Sequence, residues 1–372
     1  MGLLDYYRQF DDVDQEEINR ELRARRAREK ARALAEVPTI DLSSTEWPDF
    51  PNSEVMNAAI ATARGAVNSY PDRHAEAIRR MLAERHGVAA EQIVVGNGAA
   101  ELLQAATLAL VEPGDEVVTP WPSYPLYPLM VQRAGGRPMA VDLAGGRADA
   151  EALLRTVSER TRAVVLCNPN DPTGTYLSAD DVGALAGSLP EHVHLLVDEA
   201  YVHFQDVEPR DSVLRLVDAF PQLLVFRTFS KIYGLSGLRA GYAVGSQASG
   251  SLLGSIAPAL GVNVLTQAGI RKVLEIGDRE VERRRSLVVE QRRRLFAALH
   301  DLPVDAPPSE ANFVWLHAAG LDGAGLAARL EEAGVIVAPG GPLGADDHVR
   351  ASIRGAAATE RLLSGLERAV SR

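Results

Sequence analysis

From residue 54 onward, short apolar runs rich in β-branched residues alternate with stretches where apolar residues recur every three or four positions. This pattern predicts helices over 54–66 and 73–86, a strand at Ile93–Val95 and a helix over Ala99–Val111. It then predicts strands at Glu116–Thr119 and Pro138–Asp142, a helix over Asp149–Val157 and a strand at Ala163–Cys167. A helix over Ala179–Ser188 and strands at Val193–Val197, Leu223–Arg227 and Ala240–Val244 follow. Helices are expected over 248–258, 263–276 and 278–300, then an α+β segment with strands near Phe313–Leu316 and Val349–Ile353. Apolar strands separated by helices imply a mostly parallel sheet covered on both faces. The expected fold class is therefore α/β, a large domain over 61–275 with a sandwiched sheet of the seven-stranded type. A small α+β domain would come from both chain ends, 37–60 and 276–372. Residues 1–36 stand apart. Arg20 to Arg32 carry basic side chains at helical spacing with almost no apolar stripe, as expected of a solvated arm.

Composition narrows the class. In 372 residues, 46% are hydrophobic and 24% charged, the balance of a soluble globular chain. A net charge of −11 argues against general nucleic-acid affinity. Cys167 is the single cysteine, so neither an internal disulfide nor a cysteine-rich metal site is expected, and no metal is assigned. The acidic N-terminal stretch does not read as a signal peptide, and no apolar run nears the ~20 residues that cross a bilayer. A cytoplasmic location and no membrane partner are the expectations.

Lysine is scarce. Lys30, Lys231 and Lys272 are the only three among 39 basic residues. Two lie among charged neighbours, whereas Lys231 follows a predicted strand in a small, apolar stretch with Arg239 eight positions on. Lysine can lose its proton and condense with an aldehyde; a guanidinium cannot. A Schiff-base lysine beside a phosphate clamp is one explanation, and an ordinary lysine with a buried stem is the other. Gly96–Glu101 follows a strand and opens a helix, so Gly98, Ala99 and Ala100 could cradle a phosphate on backbone N–H groups, or form a plain turn. The loop Asn168-Pro-Asn-Asp-Pro-Thr-Gly174 sits at a strand's carboxyl end, where open α/β sheets place ligands; a surface turn would use the same residues. Asp198 ends a buried strand and needs a partner. A cationic heterocycle nitrogen would serve, as would an arginine or a helix N-terminus. Tyr201 could present its hydroxyl to the same ligand. Taken together, the four segments supply an aldehyde acceptor, a carboxylate for a pyridinium and phosphate donors, which is what pyridoxal 5'-phosphate requires.

Over roughly residues 38–368 the chain resembles the fold-type I pyridoxal-phosphate enzymes of the class I/II aminotransferase family, in the branch of histidinol-phosphate and aromatic aminotransferases. The resemblance rests on NSYPD (68–72), GNGAAELL (96–103), NPNDPTG (168–174), VDEAY (197–201), RTFSKIYGLSGLRAGY (227–242), SEANFVW (309–315) and HVRASIRG (348–355). It implies that Lys231 binds the cofactor aldehyde and carries the proton at the substrate Cα. Asp198 would pair with the ring nitrogen and Tyr201 would donate to the ring phenolate. Ala99, Ala100, Thr228, Ser230 and Arg239 would hold the phosphate. Tyr124 would stack on the ring, and Tyr70 would reach the neighbouring subunit's cofactor, implying a homodimer. Arg350 would grip the substrate's anionic end, and Asn312 is expected at the substrate.

Three positions depart from the family pattern. Asp171 stands where asparagine is usual beside the phenolate, and would be protonated, turned away or paired with an arginine. Ala99-Ala100 replaces Ser-Asp, leaving only backbone donors. Arg354 lies four residues beyond Arg350, on the same face if the segment is a strand; it would serve a second anionic group or simply be a surface residue. The expected activity is transfer of an amino group between an amino acid or amino-phosphate donor and a 2-oxo acid. The alternatives are a decarboxylase of an anionic amino acid, a non-enzymatic cofactor-binding regulator, and a nucleotide-binding α/β enzyme. The regulator would need a longer N-terminal module, and Gly96–Glu101 fits neither the dinucleotide nor the P-loop spacing.

Overall fold

The computed structural model describes residues 23–25, 28 and 38–371. The expected arm over 1–36 therefore lies outside the described residues, apart from 23–25 and 28, which are helical. The strands are β1 (Ile40–Asp41), β2 (Ile93–Gly96), β3 (Glu116–Trp121), β4 (Arg137–Asp142), β5 (Thr161–Cys167), β6 (His194–Asp198), β7 (Leu223–Thr228), β8 (Gly241–Val244), β9 (Val304–Asp305), β10 (Phe313–Ala318), β11 (Val335–Ile336), β12 (Ala338–Pro339) and β13 (His348–Ser352). The helices are α1 (Ser53–Ala66), α2 (Glu76–His86), α3 (Ala99–Leu110), α4 (Leu126–Arg133), α5 (Ala150–Thr156), α6 (Ala179–Ser188), α7 (Gly250–Ile256), α8 (Val264–Ile276), α9 (Asp278–Leu299), α10 (Gly323–Glu332) and α11 (Ala356–Val370).

The chain divides into two compact units. The large one holds Glu46–Val289 and Pro307–Asn312. Its boundaries fall at 45/46 and 289/290 rather than at 60/61 and 275/276, because α1 packs along α8 and belongs with the large sheet. That sheet has seven strands in the order β2-β8-β7-β6-β5-β3-β4. Strands β7, β6, β5, β3 and β4 run parallel, and β8 runs antiparallel to both its neighbours. Strands β5, β6 and β7 are buried almost throughout, which explains why they read as continuous apolar runs rather than alternating ones.

Local chemistry sets the helix ends. Asn52, Asp149, Ser178 and Asn263 each accept a first-turn backbone N–H on α1, α5, α6 and α8. Helix α4 was not predicted. Pro128 sits in its first turn, where a missing N–H does no harm, but the proline-rich surroundings read as loop.

In the small unit, β12-β13-β10-β9 form an antiparallel sheet, and β1 pairs in parallel with β11. Among the described residues no helix is long and apolar enough to cross a membrane.

Candidate active site

Because β8 is antiparallel, β2, β3, β5, β6 and β7 all present their carboxyl ends at one edge of the large sheet, where open α/β sheets gather ligand-binding residues. Registers fix the neighbours. Cys167 pairs with Asp198 and Asp198 with Phe226, while Gly241 lies between Gly96 and Thr228.

Asp198 is 5% exposed. One carboxylate oxygen accepts the Ala200 N–H at 3.1 Å and the other the Tyr127 hydroxyl at 3.0 Å. Burial pushes its pKa up to about 6. Tyr127, Ala200 and Lys231 act against that rise, and Asp171 adds to it. Lys231 Nζ stands 5.0 Å from the centre of the Tyr201 ring. The Tyr201 hydroxyl donates to Asp171 Oδ2 at 2.8 Å, inside the protein. Asp171 is itself buried, at 3% exposure. Its loop is pinned by Asn168, whose side chain bonds Leu177 N–H and C=O, and by Asn170, which bonds Ser123 and Thr173.

The anion cradle lies beside this group. Gly98 caps α3 at φ +105 without a side-chain oxygen, which leaves the first turn of α3, Ala99 and Ala100 included, to serve an anion with backbone N–H groups. A Cβ on Gly98 would stand 2.6 Å from Arg239 Nη2, and one on Gly241 2.3 Å from Ala99 N. Only glycine leaves room at either place. Thr228 Oγ1 bonds Ser230 Oγ at 3.0 Å and accepts the Ser230 N–H at 3.1 Å. Arg239 holds φ +52, a region unfavourable for a side-chain-bearing residue, and is anchored on Ser236 O at 2.9 Å. Strain of this kind collects at ligand clamps.

Tyr124 stands edge-on to Tyr127, ring centres 5.5 Å apart. Asn312 is buried on a segment tied to the Asp171 loop through Glu310 N–H and Gly174 O at 2.7 Å. Tyr70 is 86% exposed. Arg350 and Arg354 belong to the small unit. There Arg350 is buried, its guanidinium 5.5 Å from the Phe313 ring centre and 3.3 Å from Ser43 O. Of the other lysines, Lys272 pairs with Glu275 at 2.7 Å on the surface, and Lys30 lies outside the described residues.

Two features escaped the sequence. Tyr127, fully buried against Asp198, sits on the helix the pattern did not predict; its three-residue spacing from Tyr124 was the available signal. Behind the strand ends lies a buried ion pair. Arg227 donates to Glu199 at 2.7 Å, to Asp211 at 2.6 Å and to Arg210 O at 2.6 Å. Burial pushes Glu199 up to about 7, while the two carboxylates keep Arg227 charged.

A lysine, a buried carboxylate and a helix start capped by glycine thus gather at the carboxyl ends of the large sheet's strands. The model of the aminotransferase class I and II family matches residues 37–368, and the chain belongs to that family. It is a transaminase. It is 38% identical to the aromatic amino acid aminotransferase of Corynebacterium jeikeium, covering 85% of this chain and 84% of that one. It is 35% identical to histidinol-phosphate aminotransferase 1 of Nitrosococcus oceani, covering 88% of each. Among solved structures, histidinol-phosphate aminotransferase from Sinorhizobium meliloti in complex with pyridoxal-5'-phosphate matches at TM-score 0.80 and 27% identity, over 98% of this chain and 96% of that one. A Thermus thermophilus aspartate aminotransferase single mutant matches at 0.82 and 27%, over all of both chains. The decarboxylase alternative has no support among these relatives.

Proposed function

We propose that this transaminase moves the amino group of an aromatic amino acid, or of an amino-phosphate of the histidinol-phosphate kind, to a 2-oxo acid. The names of the relatives support the donor class. The observation that carries the chemistry is Lys231 Nζ over Tyr201, in the same buried group as Asp198.

The residues fit pyridoxal 5'-phosphate. Asp198 is a carboxylate raised by burial, and the first turn of α3, which has no side-chain cap and has Arg239 packed against Gly98, suits a phosphate. Lys231 would hold the cofactor covalently. Asp198 would hold a proton on its ring nitrogen, Tyr124 would lie against its ring, and Tyr201 with Asp171 would face its ring oxygen. The first-turn amides of α3 with Thr228, Ser230 and Arg239 would hold its phosphate. When bound, the cofactor supplies an electron sink for the bond broken at the substrate Cα. Lys231 Nζ would take the proton from the substrate Cα and return it to the cofactor carbon on the other side of the substrate nitrogen. A protonated ring nitrogen facing Asp198 would favour its ionised form.

Arg350 would fix the substrate's carboxylate or phosphate with its planar fork, Asn312 would assist, and Arg354 would meet a second anionic group where one is present. Exposed Tyr70 suits a homodimer in which it completes the neighbouring subunit's site, and the cytoplasm is the expected compartment. A screen of amino donors against 2-oxo acids tests the proposal, with CO₂ followed alongside. Turnover of aromatic or imidazole donors without CO₂ is the expected result, and CO₂ release in step with donor loss would overturn it.

A further inference from the structure

Asp198 is approached from every packed element by a different kind of group. Tyr127 comes from α4, Cys167 from β5, Asp171 from the loop beyond β5, and Lys231 from the segment after β7, with the Ala200 N–H adjoining. Among the described residues two groups donate hydrogen bonds to the carboxylate itself, one to each oxygen. The Ala200 N–H is backbone and cannot vary. The Tyr127 hydroxyl is therefore the side-chain donor that fixes how Asp198 faces the pocket.

Three observations make this donor permanent and directional. Tyr127 is 2% exposed, so its ring cannot swing. Burial pushes the phenol far above its ordinary range, with the negative field of Asp198 adding to this, so the hydroxyl keeps its proton at any working pH. Its ring also stands edge-on to Tyr124 at 5.5 Å. One side chain thus sets both the carboxylate meant for the ring nitrogen and the aromatic ring meant for the cofactor face.

We infer that Tyr127 is a positioning residue of the transamination site, whose hydroxyl holds Asp198 ionised and aimed at a cationic ring nitrogen. This rests on the cofactor reading given above. A hydrogen bond donated to the charged form of a carboxyl favours ionisation. Removing it moves the Asp198 titration to higher pH, and with it the acid limb of cofactor binding.

The test is the dissociation constant of pyridoxal phosphate from the full-length apoprotein as a function of pH. Tyr127→Phe keeps the ring and removes only the hydroxyl. Its binding near pH 7 should weaken about tenfold, the size expected for one hydrogen bond to a charged group. Its acid limb should move to higher pH than the wild type's. Placing 3-fluorotyrosine at position 127 gives a stronger donor of nearly the same shape, and should move the limb to lower pH. In an Asp198→Asn background, Tyr127→Phe should add little, because the two act as one unit. An acid limb that stays fixed in both Tyr127 variants, or an undiminished effect in the Asp198→Asn background, would overturn the inference. Failure of the wild type to bind the cofactor through Lys231 would instead overturn the function proposed above.

Discussion

Taking a carboxylate out of water costs several kcal/mol unless donors or a cation replace the lost hydration. Asp198 has two donors but stands between competing charges, with Lys231 drawing its pKa down and Asp171 pushing it up. Asp171 itself receives the Tyr201 hydroxyl at 2.8 Å. The Tyr201 proton points at Asp171, so the hydroxyl oxygen can still accept from the pocket. Asp171→Asn removes the neighbouring negative charge, so Asp198 ionises at lower pH. Cofactor binding between about pH 5 and 6 should therefore strengthen relative to the wild type. Equal affinities across that range would show that Asp171 has no bearing on Asp198. Lys231, Asp198, Tyr201 and Arg239 were legible in the sequence because each is unusual for its surroundings: a lone lysine, a charge at the end of an apolar strand, a tyrosine three residues on, an arginine among glycines. Tyr127 was harder to read, because its partner lies 71 positions away along the chain and its spacing from Tyr124 does not point to Asp198.

At the scale of elements, the glycine turn between β2 and α3 does two things that need glycine. Gly98 takes φ +105, and its missing Cβ leaves space for Arg239 Nη2. Gly98→Ala should cost about 1–3 kcal/mol of stability from the backbone alone. It should also displace Arg239 and weaken cofactor binding. Wild-type affinity and an unchanged melting temperature together would refute both roles. Strands with a continuous apolar run, such as β5, β6 and β7, are legible from pattern, with ends shifted by one or two residues. The two-residue strands β1, β9, β11 and β12 carry too few positions to show any period. Helix α4 was hidden by its prolines. A buried arginine like Arg227 looks in sequence like any other, since only the fold brings Glu199 and Asp211 to it.

For the whole molecule, acid stability depends on histidines held neutral inside. His203 is fully buried, and burial, followed by the Arg227 charge, holds its pKa well below the ordinary value. His86, between Asp211 at 3.0 Å and the Tyr242 hydroxyl at 2.9 Å, is also lowered, chiefly by burial. The unfolded chain takes up these protons near pH 6.5, while the folded chain does not, so their contribution is present above that pH and is lost as pH falls through it. Glu199 and Asp198, raised to about 7 and about 6, work in the opposite sense. They take up protons in the folded chain before the unfolded one does, and so add stability as the medium is acidified. His203→Phe removes one of the losses. Between about pH 7.5 and 5 its melting temperature should fall less steeply than the wild type's. Parallel slopes would mean that His203 is not held neutral.

The central claim is that Lys231 is the residue that binds the cofactor, and reduction tests it most directly. The protein loaded with pyridoxal phosphate, treated with sodium borohydride and digested, should carry the label on the peptide containing Lys231. Lys231→Ala should carry none and should not turn over. A label on Lys30 or Lys272, or one that persists in Lys231→Ala, would contradict the site described here.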